Sequence, residues 1–245
     1  LSLHDALPIY WTIAPRAGGD ATSRRYRDDT LMLESTWTTL DGTVRVVDFM
    51  PPRDDLPDLV RVVEGVSGRV PMRSTLRMRF DYGRVVPWVR SVAGELRAVA
   101  GPDALWLRSP VEQRGVDKTT VSEFAVAAGE RLAFALTWSA SHKPRPRAVD
   151  PLKALEQTEK FWRRWISTAK VEGRYAEAVS RSLITLKALT YRPTGGIAAA
   201  ATTSLPEQLG GNRNWDYRYC WLRDATMPLH AMLSSGYHDE AKAWR

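Results

Sequence analysis

The sequence predicts a multi-domain chain in which an all-β region precedes an all-α region. Three observations carry this. Apolar residues recur at every second position in stretches between Tyr10 and Ser141, a polar proline-rich segment follows at His142–Val149, and apolar residues then recur at helical spacing. Trp37-Thr38-Thr39-Leu40 and Thr43-Val44-Arg45-Val46 flank Asp41-Gly42, a pair that favours a two-residue hairpin loop. Met72, Ser74, Leu76, Met78 and Phe80 alternate with Arg73, Thr75, Arg77 and Arg79. A period of two places the first set on a core and the arginines in water. Leu132, Phe134, Leu136 and Trp138 repeat the pattern. Ala104–Arg108 and Val121–Val126 read as further short strands, with Gly101-Pro102-Asp103 and Ala128-Gly129-Glu130 as turns. Short strands without intervening helices predict a β-sandwich.

Lys143-Pro144-Arg145-Pro146-Arg147 reads as a polar connector. Asp150-Pro151 then supplies an N-cap and a proline at the first helical position. Leu152, Leu155, Phe161, Trp162, Trp165 and Ile166 fall on or near one stripe of that helix. A second helix is expected over Tyr175–Tyr191, with Val179, Leu183, Leu186 and Leu189 inward, ending before Arg192-Pro193-Thr194-Gly195-Gly196. A third is expected to start near Trp221–Asp224 and to run to Ser235, with Gly236 as its stop signal. His238, Asp239 and Glu240 suit the first turn of a fourth. The expected divisions are a β domain over 10–141, a linker with its helix over 142–170, and a helical domain from 171 to 245.

Of the 245 residues, 44% are hydrophobic and 26% charged, and no apolar run approaches the ~20 residues that span a bilayer, so no membrane partner is expected. The net charge of +7 is spread over scattered arginines rather than a basic face, which argues against nucleic acid. With one cysteine, Cys220, an internal disulfide is impossible; the thiol reads as a small buried residue and the expected location is cytoplasmic. His142, His230 and His238 are too dispersed for a metal site, and Gly195-Gly196 lacks the lysine and hydroxyl of a phosphate loop, so no metal or cofactor is expected. Asp54-Asp55 reads as a surface turn. Leu1–Ile9 is the translation of one frame of a common short-read sequencing adaptor and is set aside as an artefact. At Arg245 the helical pattern has no stop signal, so the chain is expected to be a fragment.

The chemistry concentrates in Gly195–Arg223, a long connection of little periodicity. It gathers Trp215, Tyr217, Tyr219 and Trp221 with Asp216, Arg218, Arg223 and, just beyond, Asp224. Aromatic faces stack on the C–H faces of sugar rings, and an Asp beside an Arg accepts from one hydroxyl while donating to another oxygen. Neutral polyols need that mixture. The same residues also suit a second reading, in which the rings fill space between helices and Arg223 and Asp224 form an ion pair or cap.

The stretch Asn214-Trp215-Asp216-Tyr217-Arg218-Tyr219-Cys220-Trp221-Leu222-Arg223-Asp224 resembles the hallmark of bacterial glycoside hydrolase family 15, the glucoamylase and trehalase family. The resemblance extends to Thr202-Thr203-Ser204-Leu205-Pro206-Glu207, Leu186–Tyr191 and Thr194-Gly195-Gly196. Phe80-Asp81-Tyr82-Gly83 and Glu64-Gly65-Val66-Ser67-Gly68 resemble the trehalase-like N-terminal β-domain of such proteins. It implies a β-sandwich joined by a helical linker to the first helices of an (α/α)6 barrel. It implies that Arg223 and Asp224 hold the hydroxyls of the terminal glucose, with Trp221 and Tyr217 lining that pocket. Trp215, Asp216 and Glu207 are further candidates. The implied reaction is inverting hydrolysis of an α-glucoside, either α,α-trehalose or an α-glucan end. It needs an acid and a base about 6.5–9.5 Å apart, and the resemblance puts both in loops beyond Arg245. Arg223 suits Asp224 to holding rather than proton donation. The fragment itself is expected to be inactive. A carbohydrate-binding or structural module without catalysis is the alternative.

Overall fold

The computed structural model describes residues 10–52, 56–81, 83–202, 208 and 210–243. The adaptor-like segment, Asp54-Asp55, Tyr82 and the 203–207 segment with Glu207 lie outside the described residues. Among the described residues the strands are β1 Tyr10–Pro15, β2 Ser23–Tyr26, β3 Leu33–Thr39, β4 Gly42–Phe49, β5 Asp58–Arg77 and β6 Trp88–Val92. They continue as β7 Glu95–Ala100, β8 Asp103–Arg108, β9 Arg114–Val116, β10 Thr119–Ala127 and β11 Arg131–Ala140. The helices are α1 Pro151–Ile166, α2 Ala176–Ala188, α3 Leu222–Ser234 and α4 His238–Ala243. The chain divides into two compact units, one of the residues up to Arg27 with Met32–Glu159, the other of Asp28–Leu31 with Lys160–Arg245.

In the first unit every strand pairing is antiparallel, and the 20-residue β5 belongs to two sheets. Its first half joins a broad sheet ordered β2-β3-β4-β5-β11-β8-β7-β6. Its second half lies between β1 and β10, which in turn pairs with β9. The switch occurs where the β4 register slips, with Thr43 opposite Ser67 but Val44 opposite Gly65, which leaves Val66 as a bulge. Gly65 is required there, because a Cβ would collide with the Ala127 carbonyl. Ile13, Val70, Met72 and Val126 of the smaller sheet meet Trp37, Val44, Val46, Val63 and Phe134 of the larger one. That is the predicted β-sandwich. The opposite face of the larger sheet packs Val47, Val60, Val62 and Ala135 against Ala154 and Leu155 of α1.

Two local expectations are corrected. The β3–β4 loop is Leu40-Asp41, because Thr39 pairs with Gly42. Gly42 opens β4 at a positive φ where a Cβ would meet the Ser67 backbone, so its glycine serves close approach rather than the turn. Arg77 and Arg79 are buried rather than solvated. Alternation fails because β5 ends there: the β9–β10 hairpin covers Arg77, whose Nε donates to Thr119 Oγ1 at 3.0 Å. Arg79, beyond the strand, turns back to donate to the Met78 carbonyl at 2.7 Å.

The proline-rich connector is tied to the sheet. Glu95 accepts from Arg108 Nε at 2.8 Å and from Arg145, while Arg108 also donates to the Pro146 carbonyl at 2.9 Å. Burial pushes the Glu95 carboxyl up, but the bonds from Arg145 and Arg108 outweigh it and hold the group below its ordinary range. Asp150 caps α1 as expected, Oδ1 accepting from Lys153 N at 3.2 Å. Of the expected stripe Leu155, Trp162 and Ile166 are buried, whereas Leu152 and Phe161 are exposed.

In the second unit Trp162, Ile166, Leu183, Ile184, Ile197, Met232 and Tyr237 form the core. α2 is shorter than expected at both ends, and Val179 is exposed. α3 ends as expected, with Gly236 at φ +95°. Trp165 stacks on Tyr237 at 4.2 Å and donates its indole N–H to Glu240 at 2.7 Å, a carboxylate also 3.3 Å from Lys187 Nζ. Burial raises the Glu240 carboxyl, and the indole bond with Lys187 more than reverses that, leaving it below the ordinary range.

Candidate functional site: the aromatic loop at the start of α3

Backbone bonds fix the loop in stages. After α2, Thr190 and Ile197 form an isolated antiparallel bridge, flanked by bonds from Tyr191 N to Gly196 O and from Ala198 N to Leu189 O. The next residues, Ala199 and Ala200, donate to the carbonyls of Tyr219 and Tyr217 at 3.1 and 2.8 Å. These contacts draw the 217–219 segment back beside the end of α2. Nothing in the side-chain pattern of Ala198-Ala199-Ala200 signals them, since the donors are backbone.

Within the loop Asp216 and Arg218 form a bidentate pair, Nη2 to Oδ2 at 2.7 Å and Nε to Oδ1 at 3.0 Å, and the Arg218 backbone N–H also donates to Oδ1. The Arg218 side-chain and backbone bonds hold the Asp216 carboxyl below its usual range. Asp216 is therefore consumed in shaping the loop, and its partner Arg218 is the residue whose role sequence reasoning left unassigned. The Asp216 carbonyl accepts from Trp221 Nε1 at 3.2 Å, so the indole N–H is spent and the ring presents its apolar surface. Tyr217 lies against it, centroids 5.4 Å apart and planes at 37°.

Trp221 is the N-cap of α3, extended at φ −94° and ψ 123°, and its carbonyl accepts the first helical bond from Ala225. Asp224 thus sits in the first turn, where the helix dipole favours a carboxylate. Arg223 Nη2 reaches its Oδ2 at 3.2 Å, with Arg223 largely exposed and Asp224 about one third exposed. Pro228 lies inside the helix and has no N–H, so the Asp224 carbonyl receives no i+4 helical bond. The two rings, the Arg–Asp pair and that carbonyl place apolar surface, donors and acceptors within one short stretch.

The structure pairs Tyr217 with Trp221 and Arg223 with Asp224, and Trp221 is tied to the Asp216 carbonyl; the two pairs adjoin in sequence at the start of α3. Trp215 is 45% exposed and Tyr219 68%, so neither fills the helical core. Cys220 is exposed, contrary to the buried residue expected, in a loop stretch whose backbone is tied at Tyr219, the carbonyl of which accepts from Ala199 N. Among the described residues no group of three or more His, Cys, Asp or Glu is placed to hold a metal ion. No described helix is long and apolar enough to cross a membrane.

Fold and site define a class: a β-sandwich chain continuing into helices, with an aromatic loop followed by an Arg–Asp pair in the first turn of α3. Comparison with known proteins fixes the family. The chain belongs to the family described as "Trehalase-like, N-terminal", matched over residues 5–137, and residues 173–245 match "Glycosyl hydrolases family 15". It is similar to a trehalase of Mycolicibacterium smegmatis, 34% identical over 95% of this chain and 39% of the relative. A Mycobacterium tuberculosis trehalase is 32% identical over 95% and 38%, and one of Thermoplasma acidophilum 30% identical over 95% and 41%. The chain therefore spans about two fifths of the length of these relatives. A bacterial glucoamylase solved with acarbose shares the fold, with a TM-score of 0.55 at 13% identity over 92% of this chain and 40% of that one.

Proposed function

We propose that this chain supplies the N-terminal β-domain and the terminal-glucose grip of a family 15 glycoside hydrolase, with α,α-trehalose as the favoured substrate. The observation that carries the reading is the succession, at the start of α3, of the Tyr217–Trp221 ring pair and the Arg223–Asp224 pair, inside a segment that matches glycosyl hydrolase family 15. Sugar faces pack on the rings, and the charged pair orients hydroxyls by charge-assisted bonds. The trehalase names of the curated relatives favour trehalose over an α-glucan end. No acid or base is assigned within the 245 residues. Asp216 is engaged by Arg218 and Asp224 by Arg223, whereas inverting hydrolysis needs a free acid and a free base. The 245-residue chain alone is accordingly expected to show no turnover.

The test uses the full-length protein with trehalose, maltose and soluble starch. Asp224→Ala and Arg223→Ala are each expected to reduce glucose release from trehalose by roughly a hundredfold or more, the scale of losing charged positioning contacts, while circular dichroism shows retained folding. Unchanged activity in both variants would refute the assignment, and faster release from starch than from trehalose would refute the substrate.

A further inference from the structure

We propose that a crevice in the β-sandwich, between the end of β5, the 83–89 segment and the β9–β10 hairpin, binds a small organic anion: an oxyanion headgroup on a short apolar body. The crevice has a volume of about 180 Å³. Met78, Val86 and Val89 form part of its apolar wall, while Arg79, Lys118 and Thr120 contribute its polar part.

The first observation is Arg79. It is only 7% exposed, and among the described residues its guanidinium has one acceptor, the carbonyl of Met78. A cation so far from water ordinarily has a carboxylate partner. Three other sheltered arginines of this unit have such a partner, Arg61 in Asp48, Arg108 in Glu95 and Arg27 in Glu34, whereas the half-buried Arg97 has the Ser141 carbonyl and the Trp106 ring instead. Arg79 lines an open crevice whose lining residues include Lys118 as a second cation and no carboxylate.

The second observation is the turn that carries Lys118. Asp117 and Lys118 form the two-residue loop between β9 and β10, with φ of +46° and +54°. That conformation suits Asn-Gly, and a lysine there stores backbone strain. The strained residue is the one that brings a cation to the crevice rim. The apolar wall selects the rest of the ligand: a bare inorganic ion leaves that surface uncovered, whereas a short hydrocarbon body covers it.

Calorimetric titration of the purified chain with hexanoate, hexanol, acetate and inorganic phosphate tests both halves. Saturable 1:1 binding of hexanoate is expected, with each of the other three weaker by roughly tenfold or more. Arg79→Met should weaken hexanoate by roughly tenfold or more while melting no lower than the parent in hexanoate-free buffer, since it removes a buried charge and keeps an apolar stem. Lys118→Asn, on the exposed turn, should weaken hexanoate about threefold and raise the melting temperature by relieving the left-handed lysine. Absence of saturable hexanoate binding, hexanol or phosphate binding as tightly as hexanoate, or unchanged affinity in Arg79→Met would overturn the proposal. Should Arg79→Met fail to fold, unchanged affinity in Lys118→Asn overturns it.

Discussion

Replacing Glu95 by Gln tests how the connector is held to the β-sandwich. The carboxylate is 8% exposed and is shared between Arg108, itself sheltered, and Arg145 of the connector. Removing one partner of a buried ion pair costs about 3–5 kcal/mol. Gln keeps the shape and one acceptor, which places Glu95→Gln at the lower end, about 3 kcal/mol. For a unit of this size that lowers the melting temperature by roughly 6–12 °C. The pH dependence is a second signature. Because the folded carboxyl lies below its ordinary value, its stabilisation is complete above the unfolded value of about 4.3 and is lost as pH falls through the folded one. The gap between parent and variant should therefore be full at pH 7 and shrink below about pH 4.3. Arg147 is the one basic residue of 143–147 not followed by proline, so tryptic cleavage after it reports release of the connector and should accelerate in the variant. A variant that melts within about 2 °C of the parent at neutral pH, with unchanged cleavage, would refute this account of the anchor.

Gly65→Ala should cost about 2–4 kcal/mol, because its Cβ meets the Ala127 carbonyl and disturbs the bonds from Gly65 N to Glu130 O and from Gly129 N to Gly65 O. Urea unfolding should show a lower midpoint at unchanged slope; an unmoved midpoint contradicts the packing. Glu240→Gln should cost about 1–2 kcal/mol at pH 7 through its weakened bonds to Trp165 and Lys187. The stabilisation Glu240 provides is present above the ordinary glutamate range and lost as pH falls through its depressed value. Tryptophan fluorescence should therefore show the two proteins converging in acid, and a constant difference down to pH 3 would contradict the stated cause.

The β-then-α order, the hairpins and most strands were legible because the second half of β5 buries one face and α1 one stripe, which imposes a period on the text. Arg77 and Arg79 misled because β5 stops at Arg77, where the β9–β10 hairpin folds over that side chain, and Arg79 lies beyond the strand. The loop at Leu40-Asp41 was displaced by one residue because Gly42 answers to Ser67 on another strand rather than to its own turn. At the site, Tyr217, Trp221, Arg223 and Asp224 were readable as a set from residue type and family resemblance. The clamp of Asp216 by Arg218 was present at a spacing of two, but such a spacing has a contact only once the loop is bent. The bonds from Ala199 and Ala200 had no side-chain signal at all.

The double membership of β5 bears on how the sandwich comes apart. Its first half is flanked by β4 and β11, its second by β1 and β10, so one covalent ribbon is the spine of both layers. Neither layer can peel away while the other stays whole, and the two should be lost in a single step. The weak link of that spine is the Gly65–Gly68 crossing, where the ladder skips a residue. Assembly meets the same constraint in reverse: Trp11 must find Leu76 and Leu136 must find Leu59, both distant in the chain, so closure is slow and all-or-none. A nick within the four residues of this crossing should therefore undo all eleven described strands together.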